Sequence, residues 1–200
     1  MSLDPKLLKF STASPNIVSY SYTDIAEGTG IINFKGFSTH SSTATTYALS
    51  ANDLYSGTVS TKTGHTALTI NFDTTPFNRP QTAKGVAYIS AGIGGTNGQT
   101  PTITCTVYKN TTAISSGITT GAVTTDGTTG NMVLIAIPLT ETHFSVGDYL
   151  RLKVVLSASS GSGDYHELGH DPKGRDTPSY ITGADVTTEL NFFVPFRIED

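Results

Sequence analysis

The clearest signal along the chain is a period-two alternation of apolar and polar positions, recurring in short stretches separated by Gly, Pro, Ser and Thr. Residues 102–108 place Ile103, Cys105 and Val107 on one face and Thr102, Thr104 and Thr106 on the other. Residues 149–156 repeat the pattern, with Leu150, Leu152, Val154 and Leu156 against Arg151 and Lys153. The longest alternation closes the chain at 186–198, where Leu190, Phe192, Val194, Phe196 and Ile198 share a face. Further strands are expected at 17–22, 31–37, 58–61, 66–72 and 84–91. Residues 131–137 are continuously apolar, as in a strand covered on both faces, and Pro138 is expected to end it.

Between these runs the pattern predicts loops. Residues 38–51 are rich in Ser and Thr, 74–80 hold two prolines within five residues, and 92–101 carry four glycines with an Asn97-Gly98 turn signal. Residues 111–130 are a Gly- and Thr-rich excursion tied down by Ile114, Ile118, Ala122 and Val123. Pro195 and the charges after it place the last strand's end at a sheet edge or a subunit contact. Residues 1–16 are polar apart from Leu7, Leu8 and Phe10, and read either as a frayed terminus or as an arm that orders against a neighbouring subunit. The expected architecture is all-β: an antiparallel β-sandwich with jelly-roll or Greek-key connections, forming one domain over 17–200 behind an arm over 1–16.

Composition supports this class. There are 34 Thr and 20 Ser but only 14% charged residues, and Thr suits a pleated, half-solvated surface where helices do not profit from it. A net charge of −4 with scattered lysines leaves no basic stripe, so nucleic acid is not an expected partner. No run is long enough to cross a bilayer as a helix, and no membrane partner is expected. The N-terminus shows no apolar segment of the secretory kind, and the single Cys105 reads as a small core residue, so synthesis in a reducing cytoplasm is expected. Asn110-Thr111-Thr112 matches a glycosylation sequon by chance on this reading.

One window carries candidate chemistry. Residues 164–176, DYHELGHDPKGRD, contain His166-Glu167-Leu168-Gly169-His170, the H-E-x-x-H string of zinc peptidases. That chemistry needs both histidines on one face of a helix, with the glutamate polarising a metal-bound water. The preceding SASSGSG is a poor helix former, and Pro172 biases Asp171 out of the helical region. Asp176 is the available third ligand, but the glycine of the extended motif falls one place late, at Gly174. The competing expectation is a short strand over 165–168, with His166 and Leu168 on one face and Glu167 on the other. A polar loop would follow, pinned by Asp171, Arg175 and Asp176. No phosphate loop, calcium loop or nucleophile elbow is present.

GHDPKGRD at 169–176 and TELNFFVPFRIED at 188–200 together resemble the C-terminal region of β-rich virion structural proteins of tailed bacteriophages. FSVGDYLRLKVVL at 144–156 is similar to the Gly-Asp-turn strand of viral and trimeric jelly rolls. The resemblance implies a jelly-roll subunit of the virion, made in the host cytoplasm and placed on the head as a decoration or auxiliary protein. It implies no catalytic residue and no cofactor. Its implied partners are further copies of the chain, as a homotrimer, and the major capsid protein or other virion proteins. Two other functions stay open: a receptor- or glycan-binding module of a tail or fibre, using loops 74–80 or 92–101, and a zinc peptidase centred on His166, Glu167 and His170.

Overall fold

The computed structural model describes residues 29–40, 45–52, 59–60, 62–65, 67–96, 98–125, 130–157, 165–172 and 189–198. The strands expected at 17–22 and the arm residues Leu7, Leu8 and Phe10 lie outside them. Among the described residues there are thirteen strands and no helix. They are β1 (Thr29–His40), β2 (Thr45–Ser50), β3 (Val59–Ser60), β4 (Lys62–His65), β5 (Leu68–Thr74), β6 (Gln81–Gly95) and β7 (Thr102–Lys109). They continue with β8 (Thr112–Ala113), β9 (Ile118–Thr119), β10 (Asn131–Phe144), β11 (Leu150–Ser157), β12 (His166–Gly169) and β13 (Leu190–Ile198).

Eight of these build two layers. One layer runs β10-β6-β13-β1 and the other β5-β11-β7-β9, each antiparallel throughout. In chain order the eight are β1, β5, β6, β7, β9, β10, β11 and β13. The first pairs with the last, the second with the seventh, the third with the sixth and the fourth with the fifth. That nested pairing is the connectivity of a jelly roll, so the chain is an all-β sandwich of the expected kind. β2 joins the layers on one side: it pairs antiparallel with the second half of β1 and parallel with β5 over two residues.

The alternation read from sequence fills the space between the layers. Ile103, Cys105 and Val107 of β7 and Leu150, Leu152, Val154 and Leu156 of β11 are buried, and face Phe192, Val194 and Phe196 of β13. Phe196 lies between Phe34, Phe77 and Phe144, with ring centroids 6.3, 5.7 and 6.0 Å away in edge-to-face geometry. Burying each such ring contributes about 2–3 kcal/mol. The Cys105 thiol sits in this core, where burial pushes its pKa up to about 12 and leaves it a poor nucleophile.

Several expectations fail, each for a local reason. Residues 45–50 form a strand, not a loop, because Leu49 is buried against the core while Thr45 and Thr46 face outward. Gly92–Gly95 continue β6 instead of opening a loop: β12 pairs closely with them, and a Cβ on Gly95 would meet the His166 ring at 2.8 Å. Pro138 does not stop β10, which runs on to Phe144. Among the described residues β10 pairs with β6 alone along this stretch, so a missing N–H on its outer edge costs no ladder bond there. Residues 131–137 are covered on one face only, leaving Met132 and Leu134 exposed at 43% and 71%.

Pro195 is not at an edge, since β13 lies between β1 and β6. Its pairing with β6 breaks between Phe193 and Phe196, where Gly85 of β6 takes a φ of +113°. The bulge accommodates a residue that has no N–H to donate.

The end of the sandwich near Asn110 is held by a polar clamp that the sequence did not reveal. Asn110, at φ +53°, donates from Nδ2 to Asp148 Oδ1 at 2.7 Å and accepts from Tyr149 N–H at 2.9 Å. The Lys109 ammonium lies 2.9 Å from Asp148 Oδ2, and Ser145 N–H donates to the same oxygen at 2.8 Å. These bonds engage the sequon asparagine in a structural role. The Asn110 amide, then Lys109, then the Ser145 N–H, hold the Asp148 pKa down at about 2, against an ordinary value of 3.8.

The depressed pKa means that Asp148 stabilises the fold fully above pH 3.8 and loses that contribution as the pH falls toward 2. Urea denaturation of Asp148→Asn should therefore show lower stability than the parent at pH 6, with the gap closing on acidification to about pH 2. A gap that stays constant over that window would contradict the clamp.

Candidate functional site

The sequence placed its chemistry at His166–His170, and His166–Gly169 of this segment form a strand. β12 pairs antiparallel with β6 on one side and β4 on the other, opposing His166 to Gly95 and His65, and Glu167 to Gly94 and Gly64. A strand over these residues is what SASSGSG and Pro172 predicted. It lies inside the sheet and not at an edge, hydrogen-bonded along both sides. β6 is long enough to pair with β13 as far as Ala91 and then with β12 from Ile93 onward, so β12 continues the line of β13.

The entry to β12 is fixed by a hydroxyl relay. Thr96 N–H donates to Tyr165 O at 2.8 Å, and Tyr165 N–H donates back to Thr96 Oγ1 at 3.2 Å. The buried Thr125 hydroxyl in turn donates to Thr96 O at 2.6 Å. These bonds satisfy the backbone of the Gly-rich turn without apolar side chains.

His166, Glu167, His170 and Asp171 are all buried, none more than 4% exposed. The His170 ring stands edge-on to Tyr47 at 5.8 Å and lies 6.0 Å from the Phe72 ring, so it packs as an aromatic wedge between β2 and β5. His170 follows directly on the end of β12, which starts at His166, and four residues of extended chain span about 13 Å. A helical turn would bring the same pair together on one face. The geometry that lets H-E-x-x-H share one metal ion is therefore absent from this segment. No group of three or more His, Cys, Asp or Glu side chains suited to a metal occurs among the described residues. Asp176 and Arg175 lie outside the described residues. Asp171 is buried, and the loop leaving β12 is tied to β1 through a bond from Lys35 Nζ to Pro172 O at 3.2 Å.

A second feature is open to solvent. Where β2 bridges the layers by only two residues of parallel pairing, a groove of about 680 Å³ runs between β1, β2 and the loop after β5. Phe37, Tyr47 and Phe77 contribute aromatic surface, and Asn52, Asn78 and Gln81 contribute amides. Residues 75–80, expected to be a loop, form one wall. Backbone bonds hold that wall to the turn before β11: Phe77 N–H donates to Asp148 O at 2.8 Å and Gly147 N–H to Phe77 O at 2.9 Å. As a set the groove is not legible in the sequence, because its two walls come from residues 32–52 and 73–81, brought together at the layer seam.

No family model matches the chain, and no curated protein matches it. Among solved structures it is similar to an α-amino acid ester hydrolase, with a TM-score of 0.51 and 9% identity, over 82% of this chain and 36% of that one. A CocE/NonD family hydrolase from Staphylococcus aureus matches at TM-score 0.47 and 9% identity, over 83% and 36% of the two chains. A structure of infectious bursal disease virus, Gt strain, matches at TM-score 0.35 and 15% identity, over 100% and 40%. The chain thus spans little more than a third of the length of the hydrolases it resembles. Only the first match is similar enough to speak for the fold, and at 9% identity it speaks for the fold alone.

If the buried histidines serve packing, metal removal leaves the protein unchanged. Dialysis against EDTA should shift the melting temperature by less than about 1 °C, whereas loss of a structural metal typically unfolds or strongly destabilises a small domain. A larger drop, reversed by zinc, would restore the metal reading.

Proposed function

We propose that this chain is a non-enzymatic structural protein of a virion, a capsid decoration or auxiliary subunit that self-associates as a trimer and binds the shell of a phage head. The observation that carries the reading is the burial of His166 and Glu167 in a strand bonded on both sides, with His170 and Asp171 buried just beyond its end. The one motif with catalytic chemistry is thereby spent on packing. The phage-like segments at 144–156, 169–176 and 188–200 supply the virion context. In this mechanism the sandwich is a rigid block, and many weak contacts to a repeating capsid lattice add by avidity, so that each subunit needs only modest affinity.

A second reading has a specific observation in its favour. The groove beside loop 75–80 sets planar amides next to aromatic rings, a combination suited to a neutral sugar, whose hydroxyls take hydrogen bonds while its apolar face stacks. On this reading the chain is a receptor- or glycan-binding module of a tail or fibre.

Two experiments separate the readings. Purified chain mixed with empty heads should co-sediment, and light scattering should give three times the chain mass. A protein that stays monomeric and fails to bind heads sinks the decoration reading. For the glycan reading, Asn78→Ala should reduce binding on a glycan array by about tenfold without moving the melting temperature. An array with no signal from the parent protein ends that alternative.

A further inference from the structure

The face of β1 and β13 that points away from the core carries a small polar cluster. Lys35 and Asn191 oppose each other directly in the antiparallel pairing, and Asn33 lies diagonally across from Asn191, opposite Phe193. The Cβ atoms of directly opposed residues lie about 5 Å apart, so a lysine stem brings its amine within reach of the opposing amide carbon. Glu189, the residue before β13, sets one carboxylate oxygen on each of the two groups. Asn191 Nδ2 donates to Oε2 at 2.9 Å, and Lys35 Nζ lies 3.8 Å from Oε1. Asn33 Nδ2 donates to Asn191 Oδ1 at 3.1 Å, so both ends of the Asn191 amide are held and its orientation is fixed. Lys35 Nζ also donates to Pro172 O at 3.2 Å, which keeps the ammonium at the cluster. The Lys35 and Glu189 side chains are only 23% and 27% exposed, so much of the water that would screen them is excluded.

We propose that Lys35 and Asn191 join in an intramolecular amide bond, which the chain forms on itself with Glu189 as proton carrier. Glu189 takes a proton from the Lys35 ammonium, and the freed lone pair on Nζ attacks Asn191 Cγ. The electron pair of the C=O bond moves onto Oδ1, where the Asn33 amide already donates a hydrogen bond to the oxygen that becomes negative. Collapse of this intermediate restores the carbonyl and breaks the Cγ–Nδ2 bond. Two of the three ammonium protons end on Nδ2, passed through the carboxylate bonded to it, and the nitrogen leaves as ammonium. One C–N bond forms and one breaks, nothing is oxidised or reduced, and Glu189 is regenerated. The clamp at Asp148 also joins a lysine, an asparagine and a carboxylate, but it is built for another purpose. Three donors hold the Asp148 pKa at about 2, which makes it a poor proton acceptor, and Lys109 Nζ is drawn to His143 O at 2.8 Å and over the Phe144 ring. The bond at Lys35 ties β1 to β13, the first and last of the eight sandwich strands, and so constrains the unfolded chain as a long-loop disulfide does.

The cross-link does not depend on the virion reading, and mass spectrometry of the denatured chain tests it alone. Relative to its own sequence, the parent should be lighter by about 17 Da, the mass of ammonia, than Lys35→Arg or Glu189→Gln relative to theirs. A tryptic digest of the parent should contain one branched peptide that joins the segments holding Lys35 and Asn191, with no cleavage after Lys35. Lys109 should be cleaved as an ordinary lysine. Glu189→Gln keeps the size of the side chain and loses its basicity, so it should retain a cooperative melt and cut the linked fraction at least tenfold. A parent chain of full sequence mass, or a link that maps to any other lysine, overturns the proposal. Undiminished linkage in Glu189→Gln overturns the role given to its carboxylate. Should a variant fail to fold, the digest of the parent chain still decides whether the bond exists.

Discussion

The structure depends on the insertion of β13 between β1 and β6. Residues 190–198 close a layer whose other strands lie at 29–40, 81–95 and 131–144, so the last stretch of chain completes hydrogen bonding left open by the earlier ones. Without β13, β1 and β6 would each present an unpaired edge, and the Phe34, Phe77 and Phe144 rings would lose Phe196 at their centre. The same insertion positions β12, which takes over the side of β6 that β13 vacates beyond Ala91. Because these partners are far apart in sequence, loop-closure entropy must be met before their contacts can repay it, and such a layer forms late and cooperatively.

Insertion of a strand containing Pro195 is possible only because the ladder is relieved at that point. Gly85 bulges with a positive φ opposite the proline, and the pairing of β6 with β10 also shifts just beyond it, between Leu139 and Thr142. A proline with no N–H and a glycine with no Cβ are therefore two halves of one device. Read separately, Pro195 marked an edge and Gly85 was unremarked, and only the register joins them.

The same distinction governs what was legible in the sequence. Strands with one wet and one dry face, β7 and β11, were readable residue by residue, because alternation directly records which side meets water. The strand at His166 was readable from its flanks, Pro172 and the Ser/Gly run, which deny it a helix. Its burial on both sides was not readable, since it depends on β4 and β6 arriving from distant parts of the chain. Gly92–Gly95 looked like a loop because glycine marks both turns and close approach, and the partner that distinguishes these, His166, lies some seventy residues away. The stretch 45–50 departs from its expected loop for the opposite reason: hydroxyl residues at a layer seam make a strand with little apolar signature.

The pattern at 131–137 is a separate case: its apolar run is continuous, yet among the described residues one face of the strand is covered and Met132 and Leu134 stand exposed on the other. An apolar residue facing water costs little alone, but an uncharged row across four strands leaves water against several large side chains at once. Elsewhere the chain avoids this, with Thr and paired ions on the opposite layer. It also blunts the outer edge of β10 through Pro138, the irregularity at Leu139–Thr142 and a single backbone bond from Thr140 N–H to Ile114 O at 2.8 Å. Those features oppose strand-by-strand growth at that edge.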